Sequence, residues 1–309
     1  MILQRTLQNP IEISGIGLHS GANICLRLRP AAAGTGIIFY RRDAQRSAAI
    51  PAKVENVVDT RLATVLGRDG LTVSTVEHFL AALSACGIDN LHVDIDGPEV
   101  PILDGSAAPF IAAIEKAGTE TLLASRKFIA IRKPISLIEG DKRISIIPSR
   151  FFRITFDIAF EHKAIAVQQY SMKFTSENFQ RDIAPARTFG FLHEVEHLKS
   201  VGLARGGSLD NAVVIDEGGV INPEGLRYRD EFVRHKILDA CGDFSLLGAP
   251  MLGHIRAFKA GHDLNAKMVR KILANPDHWA TLEFDAITSQ EAQRQNSPAF
   301  AVDLAWSKN

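Results

Sequence analysis

The stretch Phe232–Phe244, FVRHKILDACGDF, reads as a helix whose surface carries two patterns. Ile237, Leu238, Cys241 and Phe244 are apolar at spacings that let a helix rest on a core. His235, Asp239 and Asp243 recur every fourth residue beside them. Each residue advances about 100° around an α-helix, so a step of four drifts only about 40°. The imidazole and the two carboxylates therefore form one stripe. That stripe has two readings. It is a solvated face on which a carboxylate holds the histidine. Alternatively His235 and Asp239, at i and i+4, chelate a metal ion, as the two histidines of H-E-x-x-H do.

Two ligands hold an ion weakly, so the metal reading needs a third from elsewhere. The segment STVEHFLAALSACGI, residues 74–88, supplies the best candidate in His78. Ser74 is placed to cap this helix, Glu77 follows three residues later, and Gly87 can end it. Two histidines and one aspartate leave a coordination position open, the arrangement of a catalytic zinc site. Glu77 stands next to a ligand, where a carboxylate can take a proton from water. Each part has a plainer reading: Glu77 completes a capping box, and His78 is a hydrogen-bonded core histidine. The same ligand set also suits Fe(II) in a non-haem oxygenase.

Outward from these helices, the chain divides into two runs of strands followed by helices. RTLQNPIEISGIGLHSG, ANICLRLRP, GIIFYRR and VENVVDTRLATVLGRDGLTVS read as strands, the last around a turn at Asp69-Gly70. NLHVDID is a strand and GSAAPFIAAIEKAG a helix stopped at Gly118. After TETLLASRKF the strands resume with FIAIRKPISLIEG, KRISIIPS and RITFDIAFE. LHEVEHLKSVG then reads as a short helix and NAVVIDEGGVIN as a hairpin. The helix from about Arg229 to Leu246, the strand GHIRAFKAG and the helix DLNAKMVRKILAN close the pattern. The expectation is α+β, with two similar domains at 1–124 and 125–309. The only residue-level echo between them is His78-Phe79-Leu80-Ala81-Ala82 against His235-Lys236-Ile237-Leu238-Asp239. The tail after about Asp285 is polar and reads as loose.

Composition excludes several classes. The 309 residues hold 35 Lys+Arg and 35 Asp+Glu, so no global field draws nucleic acid or an anionic membrane. MILQRTLQNPIEISG lacks the basic and apolar regions of a signal peptide. Runs such as FLAALSACGI are too short to span a bilayer. Cys25, Cys86 and Cys241 are scattered and odd in number, which points to buried thiols in a reducing compartment. The expectation is a soluble, cytoplasmic monomer.

Six segments taken together carry a resemblance. They are GIGLHSG (15–21), STVEHFLAAL (74–83), GIDNLHVDIDGPEVPILDGSAAPF (87–110), ARTFGF (186–191), DEFVRHKILDACGD (230–243) and KAGHDLN (259–265). In order and spacing the chain resembles the zinc-dependent UDP-3-O-acyl-N-acetylglucosamine deacetylases of lipid A biosynthesis, up to about residue 285. The resemblance implies removal of acetate from the sugar nitrogen of a UDP-linked, 3-O-acylated glucosamine. It also implies domains that sandwich helices between sheets, with one catalytic Zn2+ at their junction. The implied zinc ligands are His78, His235 and Asp239. Glu77 is the implied general base and His262 the general acid, with Asp243 holding His262. Thr188 is implied to polarise the amide carbonyl or bind the oxyanion, Lys236 to face substrate, and Phe189 and Phe191 to pack on the sugar and the acyl path. His19 and Lys259 resemble the polar and phosphate-side contacts, and Phe160 the uridine contact. This chain departs from the family at Lys163, where proline is expected. It departs again at Ala204 or Arg205, where members often carry cysteine.

An amide resists water because its carbonyl is weakly electrophilic and its nitrogen leaves poorly. Zinc and Glu77 answer the first difficulty, and a cationic His262 the second. A long acyl chain needs a dry passage, and the region of about 192–222, with Leu192, Val195, Leu198 and Val201 on one helix, is the expected insert. The rival readings are an Fe(II)-dependent oxygenase and a non-enzymatic protein that binds a UDP-sugar or a lipid.

Overall fold

The computed structural model describes residues 2–44 and 48–284, so the expected loose tail lies outside the described residues. Within them the chain forms six α-helices. They are α1 (Glu77–Cys86), α2 (Ala108–Ala117), α3 (Ser176–Asp182), α4 (Leu192–Ser200), α5 (Glu231–Ser245) and α6 (His262–Leu273). None of them is long and apolar enough to cross a membrane.

A five-stranded sheet runs in the order Ile11–Ile16, Asn23–Pro30, Leu91–Ile95, Ile37–Arg41, Ala49–Pro51. Its pairs are antiparallel except that Ile37–Arg41 runs parallel to Leu91–Ile95. A seven-stranded sheet is built on Met251–Phe258, which lies antiparallel to Lys142–Ile147 and parallel to Lys127–Ile131 and Phe152–Ala159. A three-stranded sheet, Val57–Asp59, Val65–Arg68 and Leu71–Val73, turns at Asp69-Gly70 as the sequence leads one to expect.

Helices α1, α2, α5 and α6 lie between the two large sheets, so the α+β layering agrees with expectation. Phe79 of α1 packs edge-on against Phe39 of the five-stranded sheet and Phe110 of α2. The other side of α1 meets α5, which in turn packs on Phe152–Ala159 and α6. One buried apolar cluster runs through all these layers, from Leu26 and Phe39 through Leu80 and Ile237 to Phe156 and Ile255. Gly242 sets the spacing between the two central helices. A Cβ there would stand 2.0 Å from the Glu77 carbonyl oxygen. Glycine costs a helix interior about 1 kcal/mol relative to alanine, and here it allows α5 to lie against the first turn of α1.

Some local expectations fail. Ser74 does not cap α1. Its N–H donates to the Pro98 carbonyl and its own carbonyl accepts from Val100, so the chain is still paired there. Thr75 then turns at φ +57°, and α1 starts at Glu77 without a side-chain cap. At the other end Gly87, at φ +70°, closes the helix as expected. Thr119–Ser125, in the anticipated boundary region, is a strand paired antiparallel with Leu3–Leu7. Within NAVVIDEGGVIN the chain does turn back, through a bridge from Ile215 to Val220. Yet Val213–Ile215 finds its main partner in Phe189–Phe191, in parallel. The strand Val167–Lys173 and helix α3 have no counterpart in the sequence reading. All three cysteines are free thiols, but only Cys241 is buried, and Cys25 and Cys86 are half-buried. Burial still pushes the Cys86 thiol up to about 12.

Candidate active site

The stripe on α5 is not a solvated face. His235, Asp239 and Asp243 are only 2%, 3% and 1% exposed, and Glu77 and His78 of α1 are 3% and 4% exposed. Polar groups buried this deeply need partners, and the partners define the site.

His78, His235 and Asp239 converge. The Nε2 atoms of His78 and His235 lie 3.4 and 3.3 Å from Asp239 Oδ1. One ligand atom from each of the three residues can be chosen so that all lie within 4.8 Å of one another, a group able to hold a metal ion. Asp239 Oδ1 has no hydrogen-bond partner although it is buried. His235 Nδ1 lies 3.1 Å from the Ala186 carbonyl oxygen, which orients Nε2 toward the group. Burial depresses the His235 imidazole to about 3, so it is neutral, the form in which histidine ligates metals. Burial alone would raise the Asp239 carboxyl. Its interactions with the neighbouring His235 and Lys236 outweigh that and hold it well below its ordinary range. Two imidazole nitrogens and a carboxylate oxygen without a hydrogen-bond partner fit a divalent cation.

Glu77 and His262 stand beside this group. His262 Nε2 lies 3.9 Å from Glu77 Oε1 and 4.0 Å from Asp239 Oδ2. On its other side His262 Nδ1 is 3.0 Å from Asp243 Oδ2. Burial would lower the His262 pKa, but Asp243, Glu77 and Asp239 more than offset it and raise it to about 9. The imidazolium therefore persists at neutral pH. Burial raises the Glu77 carboxyl, against the opposing charges of His262 and His78. Thr64 donates its N–H to Glu77 Oε2 at 3.1 Å, so that carboxylate makes no capping box.

These groups open into a cavity of about 240 Å³. Glu77, His78, His235, Asp239 and His262 line it together with His19, Phe160, Thr188, Phe189 and Lys236. Thr188 is fixed in the wall by its backbone, donating to the Gly105 carbonyl at 2.8 Å and accepting from Val213 at 2.8 Å. His19 belongs to a loop pinned by buried Glu99, which accepts from the N–H groups of His19 and Ser20 and from the Thr75 hydroxyl. Burial lowers the His19 pKa against the pull of Glu99. Phe160 meets Phe189 and Phe191 at ring distances of 6.1 Å each, and Phe189 packs on Phe232 at 4.9 Å.

Several expected site residues take other places. Lys236 lines the cavity, but its Nζ donates to Asp239 Oδ2 at 2.6 Å. Phe191 is not in the cavity wall; its ring stacks on His193 and meets His162. Lys259 also stands outside the wall and pairs with Asp141 at 2.7 Å. The region 192–222 does not line this cavity. It meets the His19 loop instead, where the Arg205 and Gly206 N–H groups donate to the His19 and Leu18 carbonyls. Leu192, Val195 and Leu198 form the half-buried face of α4, while Val201 is exposed. Sequence reasoning missed Thr64, Glu99 and Asn265. Asn265 was within reach, three residues after His262 on one helix, and Glu99 stood inside the 87–110 segment; Thr64 carried no local signal.

A second cavity, about 430 Å³, is lined by Leu80, Leu83, Phe244, Phe128, Phe174 and Leu252 among others. It contains no comparable cluster of acids and imidazoles.

Residues 4–274 match the family model described as UDP-3-O-acyl N-acetylglycosamine deacetylase (LpxC). The chain is similar to the UDP-3-O-acyl-N-acetylglucosamine deacetylase of Syntrophotalea carbinolica, with 65% identity over 283 residues and 92% of each chain covered. The enzyme of that name from Geotalea uraniireducens is 53% identical over 306 residues, 99% of each chain. That from Myxococcus xanthus is 56% identical over 273 residues, 88% of this chain and 87% of the relative.

Proposed function

The chain belongs to the UDP-3-O-acyl N-acetylglycosamine deacetylase family, and on that premise we propose how its site performs the family's reaction. The enzyme hydrolyses the N-acetyl group of UDP-3-O-(3-hydroxyacyl)-N-acetylglucosamine and releases acetate, the committed step of lipid A biosynthesis. The observation that carries the mechanism is one cavity holding the buried His78, His235, Asp239 group beside Glu77 and His262.

His78, His235 and Asp239 hold one zinc ion. When bound, it supplies Lewis-acid activation of the amide carbonyl and of water. Glu77 takes the proton of the attacking water through Oε1, the oxygen that faces His262. Its burial raises its basicity in the direction the task requires. The Thr188 hydroxyl steadies the oxygen of the carbonyl as negative charge develops on it. His262, held cationic by Asp243, gives its proton to the departing nitrogen, so that an amine leaves. Lys236 keeps Asp239 ionised and oriented at the cavity wall.

The aromatic cluster of Phe160, Phe189 and Phe191 receives the sugar and nucleoside side of the substrate, and His19 adds a polar contact. Lys259 approaches the phosphates by leaving Asp141. The acyl chain runs from the cavity along the half-buried face of α4 in the insert 192–222. A division near 124/125 is supported by the two large sheets, neither of which takes strands from both sides of it, although the strand Thr119–Ser125 crosses that point. Both halves of the site come from one chain, which supports a monomer. A nucleotide-linked substrate supports a cytoplasmic enzyme, and a balanced charge leaves nucleic acid no global attraction.

Metal content and acetate release test this reading together. The purified enzyme should contain one zinc and cleave the UDP-3-O-acyl sugar far faster than its unacylated counterpart. Equal efficiency on both would remove the acyl passage, and metal-free turnover would remove the zinc assignment.

A further inference from the structure

The proposed base and the carboxylate that holds the proposed acid are tied together by one residue outside the six motif segments. Thr64 is 1% exposed and precedes the strand Val65–Arg68. Its N–H donates to Glu77 Oε2 at 3.1 Å. Its hydroxyl donates to Asp243 Oδ1 at 2.5 Å. Its carbonyl accepts from the N–H of Val76, one residue before α1, at 3.4 Å. All three polar groups of this threonine are thus spent at the junction of α1 and α5.

The consequence for Asp243 is a filled carboxylate. Oδ2 receives His262 Nδ1 at 3.0 Å and Asn265 Nδ2 at 2.9 Å. Oδ1 has Thr64 as its side-chain donor. Without that hydroxyl, Asp243 could rotate about its terminal torsion, which is broad for carboxylates. His262 would then lose a fixed bearing. For Glu77 the consequence is selection between its oxygens. Oε2 is held by a backbone donor, and Oε1 is left toward His262 and the cavity.

We propose that Thr64 is a positioning residue of the deacetylase site: its hydroxyl fixes Asp243, and through it His262, while its N–H selects Oε1 of Glu77 as the proton-accepting oxygen. The inference rests on the functional reading above. It assigns Thr64 no contact with substrate. It requires the effect to appear in turnover rather than in binding, because proton delivery is sensitive to placement of the acid.

The hydroxyl and the N–H separate by mutation. Thr64→Val keeps the backbone donor and the side-chain shape and removes only the hydroxyl. Thr64→Ser keeps the hydroxyl. On the UDP-3-O-acyl substrate, Thr64→Val should lose roughly 10- to 100-fold in kcat, the scale of a lost hydrogen bond to a charged group. KM and metal content should stay as in the unmodified enzyme, and Thr64→Ser should recover most of the loss. If valine does not fold, Thr64→Ala serves the same comparison. Thr64→Val combined with Asp243→Asn should be no slower than Asp243→Asn alone, because the hydroxyl acts through that carboxylate. Unchanged kcat in Thr64→Val overturns the proposal, as do losses that multiply in the double variant, equal losses in valine and serine, or loss of metal. If the unmodified enzyme releases no acetate, the functional reading itself has failed.

Discussion

The same two helices line two cavities of opposite character. Toward the first turn of α1, Glu77 and His78 meet His235, Lys236 and Asp239 of α5 around about 240 Å³. Farther along, Leu80, Leu83 and Ser84 meet Cys241, Phe244 and Ser245 around about 430 Å³. The larger, apolar space would be the default choice for a binding site by size and lining. The chemistry gathers in the smaller one. What separates them is convergence: buried Glu77, His78, His235 and Asp239 and part-buried His262 and Lys236 line one cavity, whereas the other is walled mainly by side chains that cannot titrate. Burying charge is costly unless it is paired, so a fold that keeps such a cluster marks a site more clearly than an empty volume does.

The largest expected break of this contrast removes the ligands. Asp239→Ala and His235→Ala should lose bound metal, and activity by at least about 10³-fold, since the remaining donors cannot keep the ion that activates the carbonyl. Full metal occupancy in either variant would sink the ligand assignment. Glu77→Gln should keep the metal, as measured in the same preparation, and slow turnover by roughly 10²–10⁴-fold.

Asp243→Asn sharpens the comparison through pH. His262 acts while protonated, and its pKa is raised to about 9, so activity should be present at neutral pH and lost as pH rises through that value. Asp243 is the foremost of the carboxylates that raise it. With asparagine there, the alkaline fall should move to lower pH without loss of metal. An unmoved alkaline limb would detach Asp243 from the acid. The smallest effect on activity should come from the apolar cavity. Leu252→Ala, at a residue 8% exposed, should lower stability by about 2 kcal/mol or more. The kcat/KM per folded molecule should stay near that of the unmodified enzyme. Denaturant unfolding and active-site titration on one preparation measure both. A large kcat loss in that variant would show that the two cavities are coupled.

How legible all this was depends on the reach of each signal. Helix periodicity acts over four residues, so the stripe of His235, Asp239 and Asp243 and the run of α5 were readable. The Asp69-Gly70 turn and the Gly87 stop were readable for the same reason. The resemblance placed His78, Glu77 and His262 with them, and all line one cavity or touch its wall. Where a residue's partner lies far along the chain, local rules failed. Glu77 looked like one half of a capping box, but the chain at Ser74 is held by Pro98 and Val100, which leaves the carboxylate to Thr64. Lys236 is a local case by contrast: half-buried in the cavity wall, it donates to Asp239 three residues along the same helix.

By itself, the sequence determined the identity of the chemically capable side chains and the helix faces on which they lie, because side-chain type and 3.6-residue periodicity are properties of the chain. The tertiary structure alone decided which of those faces would meet. It brought Thr64 to Asp243 across 179 residues and closed α1 on α5 through Gly242. It also shut water away from the group so that His235 is neutral and His262 charged. Protonation states of this kind are set by desolvation and neighbouring charge, and both exist only once distant segments have packed together.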